Sequence, residues 1–214
     1  MIQAAPSSRL SAVQTRILSG LAALAVVTAI AVLAALPIGS ARAQTMNTPE
    51  AISQLDPQNV LVIEVASGPI YIDLLPDVAP QHVERIQQLA SEGFYDGVVF
   101  HRVIDGFMAQ TGDPTGTGTG GSPYPDLPAE FSSIGYARGV VGMARTNDPN
   151  SANSQFFIMF GPAPRLNGAY TVFGRVVSGM DNVDAIKKGD ARRNGIVDGP
   201  DAMVRARLLA DLNG

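Results

Sequence analysis

From Val60 onward the apolar residues come in short β-rich runs, each closed by glycine, proline, asparagine or aspartate. Runs of this kind make strands, and the residues that close them make turns. Val60–Val65 and Ile70–Leu74 flank Ala66-Ser67-Gly68-Pro69 and predict a hairpin. Val98–Val103 and Phe107–Thr111 predict two more strands, followed by a long glycine- and proline-rich loop over 112–128. Val140–Ala144, Gln155–Phe160, Thr171–Val177 and a final run, Ala202–Leu209, complete the set. Two helices interrupt it. Pro80 suits a first helical turn, Val83, Ile86 and Leu89 share one face through about Ala90, and Gly93 stops the helix. Met180–Lys187 is the second. Strands and helices do not alternate regularly, so a parallel βαβ sheet is excluded and an antiparallel barrel or sandwich is predicted.

The first 43 residues stand apart. Arg9, Arg16 and Arg42 are their only charges, and the 25 residues between Arg16 and Arg42 carry none. A positive leader, an apolar stretch and Ala41-Arg42-Ala43 match the three parts of a secretory signal peptide cleaved before Gln44. The run from Ile17 to Leu36 is also long enough for an uncleaved membrane anchor. Either reading exports the domain, and the leader style predicts a bacterial periplasm. Residues 44–59, with Pro49 and Pro57, read as a flexible arm, leaving 60–214 as one domain.

Removing three arginines from the 15 basic residues leaves 12 against 19 acidic ones after position 43. That balance excludes nucleic-acid binding driven by counterion release. The absence of cysteine excludes disulfides, thiolate zinc sites, a thiol nucleophile and lipid attachment through cysteine. Two histidines cannot form a three-histidine zinc site. Thr115–Gly121, the most glycine-dense stretch, lacks the lysine or the strand–helix setting of a phosphate cradle and reads as a flexible surface loop. No Gly-x-Ser-x-Gly elbow marks a hydrolase. His82 is expected on the polar side of the first helix, and His101 as a partly buried, hydrogen-bonded residue rather than a base.

Period-two alternation puts Met108 and Gln110 on one face of their strand. Gln155 and Phe157 alternate likewise, with Phe156 turned into the core. An arginine on a neighbouring strand, Arg102, is placed to stand over the same surface. A core strand with a solvated arginine beside it fits the pattern equally well.

Three segments in order, FHRVIDGFMAQTGD (100–113), GMARTNDPNSANSQFFIMF (142–160) and RLNGAYTVFGRVVSGMD (165–181), resemble the cyclophilin-type peptidyl-prolyl isomerases. The resemblance runs from about Val60 to Leu209. It implies a mainly β fold, an eight-stranded closed antiparallel barrel capped by two helices. It further implies catalysis of X–Pro bond rotation without cofactor or metal, by a monomer acting on proline-containing polypeptides and unfolded client proteins. Arg102 matches the family's active-site arginine, with Phe107 and Gln110 beside it. Met108, Phe157 and Leu166 match the apolar proline pocket, with Phe173 lining or supporting its base. Gln155 matches a polar position, and Ala144, Arg145 and Thr146 match the segment that binds the substrate backbone. Tyr170 stands where many members carry histidine.

Three departures carry expectations. Asp105 replaces a common proline, which predicts a looser turn between the first two active-site strands. Arg145 replaces a frequent asparagine whose backbone makes the contact, so activity is expected to survive. A proline-binding chaperone module with incidental catalysis is the competing reading, and client refolding that does not depend on Arg102 would favour it. Arg165 occupies the position of a tryptophan that helps bind cyclosporin in sensitive members. Weak cyclosporin binding is therefore expected, and a nanomolar Kd by titration would overturn it.

Overall fold

A computed structural model describes residues 52–212. The leader and the first part of the arm lie outside the described residues. The rest of the arm is tied down: Pro57–Asn59 form a 3-10 turn whose Gln58 amide donates to Asp56, and Gln87 donates to Gln58 and Asn59.

Eight antiparallel strands form one curled sheet: β1 Val60–Val65, β2 Gly68–Leu74, β3 Arg102–Ile104, β4 Met108–Thr111, β5 Val140–Met143, β6 Phe156–Met159, β7 Val172–Ser178 and β8 Arg205–Leu208. Their spatial order is β3-β4-β6-β5-β7-β2-β1-β8. The expected closed barrel is an open half-barrel. Its edges β3 and β8 share no ladder, and the stretches before them meet only at a Val99–Ala202 bridge and a few backbone bonds such as Phe100 N–H to Asp201 O at 2.8 Å. Gly199-Pro200 precedes the second of these stretches, and Pro200 has no N–H to give to a ladder. The predicted strands at 98–103 and 202–209 shrink accordingly, and Leu209–Leu212 turns into a short helix.

Alternation sorts the side chains into two apolar bodies. Phe156 and Ile158 join Ile63, Ile72, Val141 and Phe173 inside the sheet's curl. Helices α1 Pro80–Ser91 and α2 Met180–Ala185 add Val83, Ile86, Leu89 and Val183 to that core. Phe157 and Met159 point the other way, into a smaller outer cluster with Met108, Tyr136, Ala163, Leu166 and Val172. Strand β6 is thus buried on both faces, unusual for an antiparallel strand.

The long connection between β4 and β5 covers the start of α1, and there the sequence misleads about His82. Its side chain is fully buried, not on a polar side. Its Nδ1 lies 2.6 Å from Glu130 of the long connection. Ala79 offers the helix no side-chain cap, and Glu130 supplies one from 48 residues away by accepting the His82 backbone N–H, together with that of Gln81. Burial raises the Glu130 pKa, but the His82 ring and these amides outweigh it and hold the carboxyl below its ordinary value. A depressed folded-state pKa stabilises above the unfolded value, and the benefit is lost as pH falls through the folded one. Glu130→Ala is expected to cost about 2–3 kcal/mol at neutral pH in urea unfolding. The gap from wild type should narrow as pH falls from about 5 through the lowered folded-state pKa; a pH-independent gap would refute the capping role.

Candidate active site

The outer cluster forms the floor of a concavity of about 300 Å³ lined by Arg102, Phe107, Met108, Gln110, Ala144, Arg145, Phe157, Arg165, Leu166 and Tyr170. Strand register builds it. Arg102 pairs with Gln110 across β3–β4, and Gln110 pairs with Phe157 across β4–β6. Neighbouring strands put paired residues on one face about 5 Å apart, so cation, amide and aromatic ring share one surface. The β3–β4 turn is closed by a 3.0 Å bond from the Phe107 N–H to the Ile104 carbonyl despite Asp105, so the looser turn does not arise. Gly106 supplies the positive φ that the turn requires.

Arg102 is held from two sides. Its Nη1 donates to Gln110 Oε1 at 3.1 Å, while Nε and Nη2 donate to the backbone carbonyl and side-chain oxygen of Asn194, each at 3.0 Å. Three of the guanidinium's five donors are thereby fixed, and two stay free. Burial lowers its pKa without discharging it. Gln110 in turn donates to Gln155 at 2.9 Å, and Gln155 to the Gly120 carbonyl at 2.8 Å. The floor is equally fixed. Phe157 stacks on Tyr136 and meets Tyr170 edge to face, with centroids 5.6 Å and 5.9 Å apart. Gly142 is required beneath: a Cβ there would lie 2.2 Å from the Tyr136 hydroxyl oxygen.

Gln155 and Thr146 line a second, adjoining concavity of about 490 Å³ that shares Gln110, Ala144 and Arg145 with the first. Arg145 donates to the Ala169 and Thr146 carbonyls and stands over the Tyr170 ring at 4.4 Å. Phe173 alone of the expected residues stands apart. It is fully buried in the inner core, edge to face with Phe156, and supports the site only through β6. Its neighbour Val172 is the one that faces outward.

The sequence model of the family described as "Cyclophilin type peptidyl-prolyl cis-trans isomerase/CLD" matches residues 60–208. The chain belongs to this family. A probable peptidyl-prolyl cis-trans isomerase of Brucella suis is 55% identical over 170 residues, covering 74% of this chain and 87% of its own. Peptidyl-prolyl cis-trans isomerase B of Bacillus subtilis is 43% identical over 131 residues, 61% of this chain and 91% of its own. Among solved structures, cyclophilin AquaCyp293 from Hirschia baltica superposes with a TM-score of 0.67 at 28% identity, covering 77% of this chain and 81% of its own. A Cryptosporidium parvum cyclophilin-type isomerase, crystallised in the presence of the dipeptide Ala-Pro, gives 0.65 at 28% identity, covering 70% and 98%. The protein is therefore an enzyme of the peptidyl-prolyl cis-trans isomerase class.

Within this cyclophilin, sequence reasoning missed two supporting residues. Asn194 is the only described non-glycine residue with positive φ, at 56°. Asn194-Gly195 signals a turn, but nothing local says that the turn holds Arg102. Asp113 stands at the start of the glycine- and proline-rich loop, and nothing in the local sequence singles it out. Its buried carboxylate gathers the Thr115, Thr117 and Gly118 amides and the Thr115 hydroxyl, so the loop is wrapped around it. Burial pushes the Asp113 pKa up, yet these donors prevail and hold it at about 2. His101 packs beneath the same loop, and no hydrogen bond of good geometry reaches either ring nitrogen. Burial lowers its pKa, with Asp113 and the Val99 carbonyl opposing. It lines neither concavity. Among the described residues no group of three or more acidic or imidazole side chains gathers to hold a metal ion.

Proposed function

We propose that the protein accelerates X–Pro rotation in exported, folding polypeptides by hydrogen bonding from Arg102 to the twisted prolyl nitrogen. The observation that carries this is Arg102's guanidinium, fixed by Asn194 and Gln110 at the wall of an apolar pocket. The Cryptosporidium relative crystallised with Ala-Pro supports proline peptides as the substrate class.

Rotation of the amide passes a barrier of about 18–20 kcal/mol because the planar resonance is lost. In the twisted state the prolyl nitrogen regains its lone pair and becomes a better acceptor. A cation aimed at it binds that state more tightly than the planar one, which is what lowers a barrier. Met108, Phe157 and Leu166, with Phe107 at the wall, hold the pyrrolidine ring while the other side of the amide turns. They also exclude water, which strengthens the field of Arg102. Gln110, Gln155 and the 144–146 backbone hold the flanking chain.

Uncatalysed rotation takes tens of seconds, so about 7 kcal/mol of differential binding brings it to roughly millisecond turnover. One charge-assisted hydrogen bond gives about 1.5–3 kcal/mol. The ring pocket and the preset dipoles supply the rest. No chemical step needs a cofactor, and we take the enzyme to act as a monomer.

Arg102→Ala is expected to lower kcat/KM on a proline peptide at least tenfold, and unchanged activity in a protease-coupled assay would refute the role assigned to Arg102. Export rests on residues 1–43. Protein recovered from the exporting cell should begin at Gln44 by intact mass, and a mass beginning at Met1 would replace a cleaved leader with a membrane anchor.

A further inference from the structure

Ten arginines lie among residues 52–212. Six are ion-paired with carboxylates. Arg85 is buried, donating to the Pro125 carbonyl and standing over the Tyr124 ring. The other three, Arg102, Arg145 and Arg165, have no carboxylate partner among the described residues, and all three line the proline pocket. Lys187 and Lys188 also lack a carboxylate partner, their ammonium groups donating to backbone carbonyls as Arg85 does, so the pocket is where three of the six unpaired cations gather.

The three differ in what they have left to give. Arg102 is fixed by Gln110 and Asn194, and Arg145 by the Ala169 and Thr146 carbonyls. Arg165 has no hydrogen-bond partner among the described residues. It sits in the 3-10 turn Pro164–Leu166, exposed, its guanidinium carbon 4.3 Å from the centroid of the Phe107 ring. A cation held over an aromatic face keeps its donors and loses less freedom on binding than a solvated one. The ring beneath it is a wall of the pocket. A prolyl ring seated there therefore brings its neighbouring side chains beside an unspent fork of N–H donors.

We propose that Arg165, backed by the like charges of Arg102 and Arg145, makes this isomerase select X–Pro segments with aspartate or glutamate next to the proline. The selection rests on the isomerase reading and adds a substrate class to it. A carboxylate can take the guanidinium fork bidentately, whereas a lysine at the same place meets three positive charges. The net negative charge of the domain opposes acidic clients at long range, so the preference arises at contact distance and weakens with salt.

The test uses the whole protein and peptides that differ in one residue, glutamate, glutamine or lysine, immediately before or after proline. Rotation is followed by NMR exchange. The wild type should favour glutamate over lysine about fivefold in kcat/KM at low salt on at least one side, with glutamine between. That ratio should fall towards one in Arg165→Gln and in about 0.5 M NaCl, and invert in Arg165→Glu. Because each ratio is taken within one protein, partial loss of folding or activity in a variant does not move it. A wild-type ratio near one on both sides, or the same ratio in Arg165→Gln, would overturn the proposal. If no peptide is turned over, the isomerase reading fails instead. Charge selection is then read from Kd by titrating the same peptides, and equal Kd values would overturn it too.

Discussion

Burial of β6 on both faces is the constraint on which the rest depends. An antiparallel strand ordinarily needs only one apolar face. Here Phe156 and Ile158 close the inner core, while Phe157 lines the pocket and Met159 packs in the outer cluster with it. The surface to which we assign catalysis is therefore the outer side of the same strand that holds the fold together. Fully buried aromatic rings seldom shift without cost, and that rigidity passes directly to the floor. Phe156, locked edge to face between Tyr95 and Phe173, keeps Phe157 in register although it never meets substrate.

The polar wall is held differently, by a chain of donors each matched to an acceptor, with two Arg102 donors left over. The chain of bonds from Asn194 through Arg102, Gln110 and Gln155 to Gly120 runs from the edge of the sheet to the glycine-rich loop. Such a chain fixes the direction of each dipole in advance, which is the preorganisation that the proposed role of Arg102 requires. The loop end of the chain is anchored by Asp113, whose carboxylate would be costly to bury without the amides folded around it. A stretch that composition marks as slack is thereby a wall of the larger concavity.

What the sequence discloses divides along the same line. Met108, Gln110 and Phe157 were legible because a strand's period of two fixes their face without knowledge of the partner. Arg102 was legible as a candidate, but period two alone left a solvated arginine equally open. Asn194 was not legible, since its two bonds to Arg102 cross 92 residues of chain. Glu130 capping α1, and His82 buried with it, escaped for the same reason: a helical wheel ranks residues by neighbours along the helix, and the partner came from elsewhere. Closure of the barrel came only with the family resemblance; the strand pattern leaves barrel or sandwich open, because it says nothing of whether the two edge strands lie in ladder register. The resemblance leaves open whether Phe173 lines the pocket base or supports it, because a one-residue offset reverses a strand's side chains, and it is Val172 that occupies the outward face.

Charge distribution completes the link from fold to function. Ion pairs elsewhere on the surface neutralise arginine after arginine, and each such pair contributes only modestly to stability where solvent reaches it. Their larger effect is to leave the pocket as the place where three arginines stand together without a carboxylate partner among the described residues. Arg145 and Arg165 stand over Tyr170 and Phe107, so aromatic faces take the place of carboxylate partners. A carboxylate there would quench the field of Arg102. A ring quadrupole attracts the guanidinium without supplying a competing anion, and this lets three like charges share one small pocket without an anion to quench the field of Arg102.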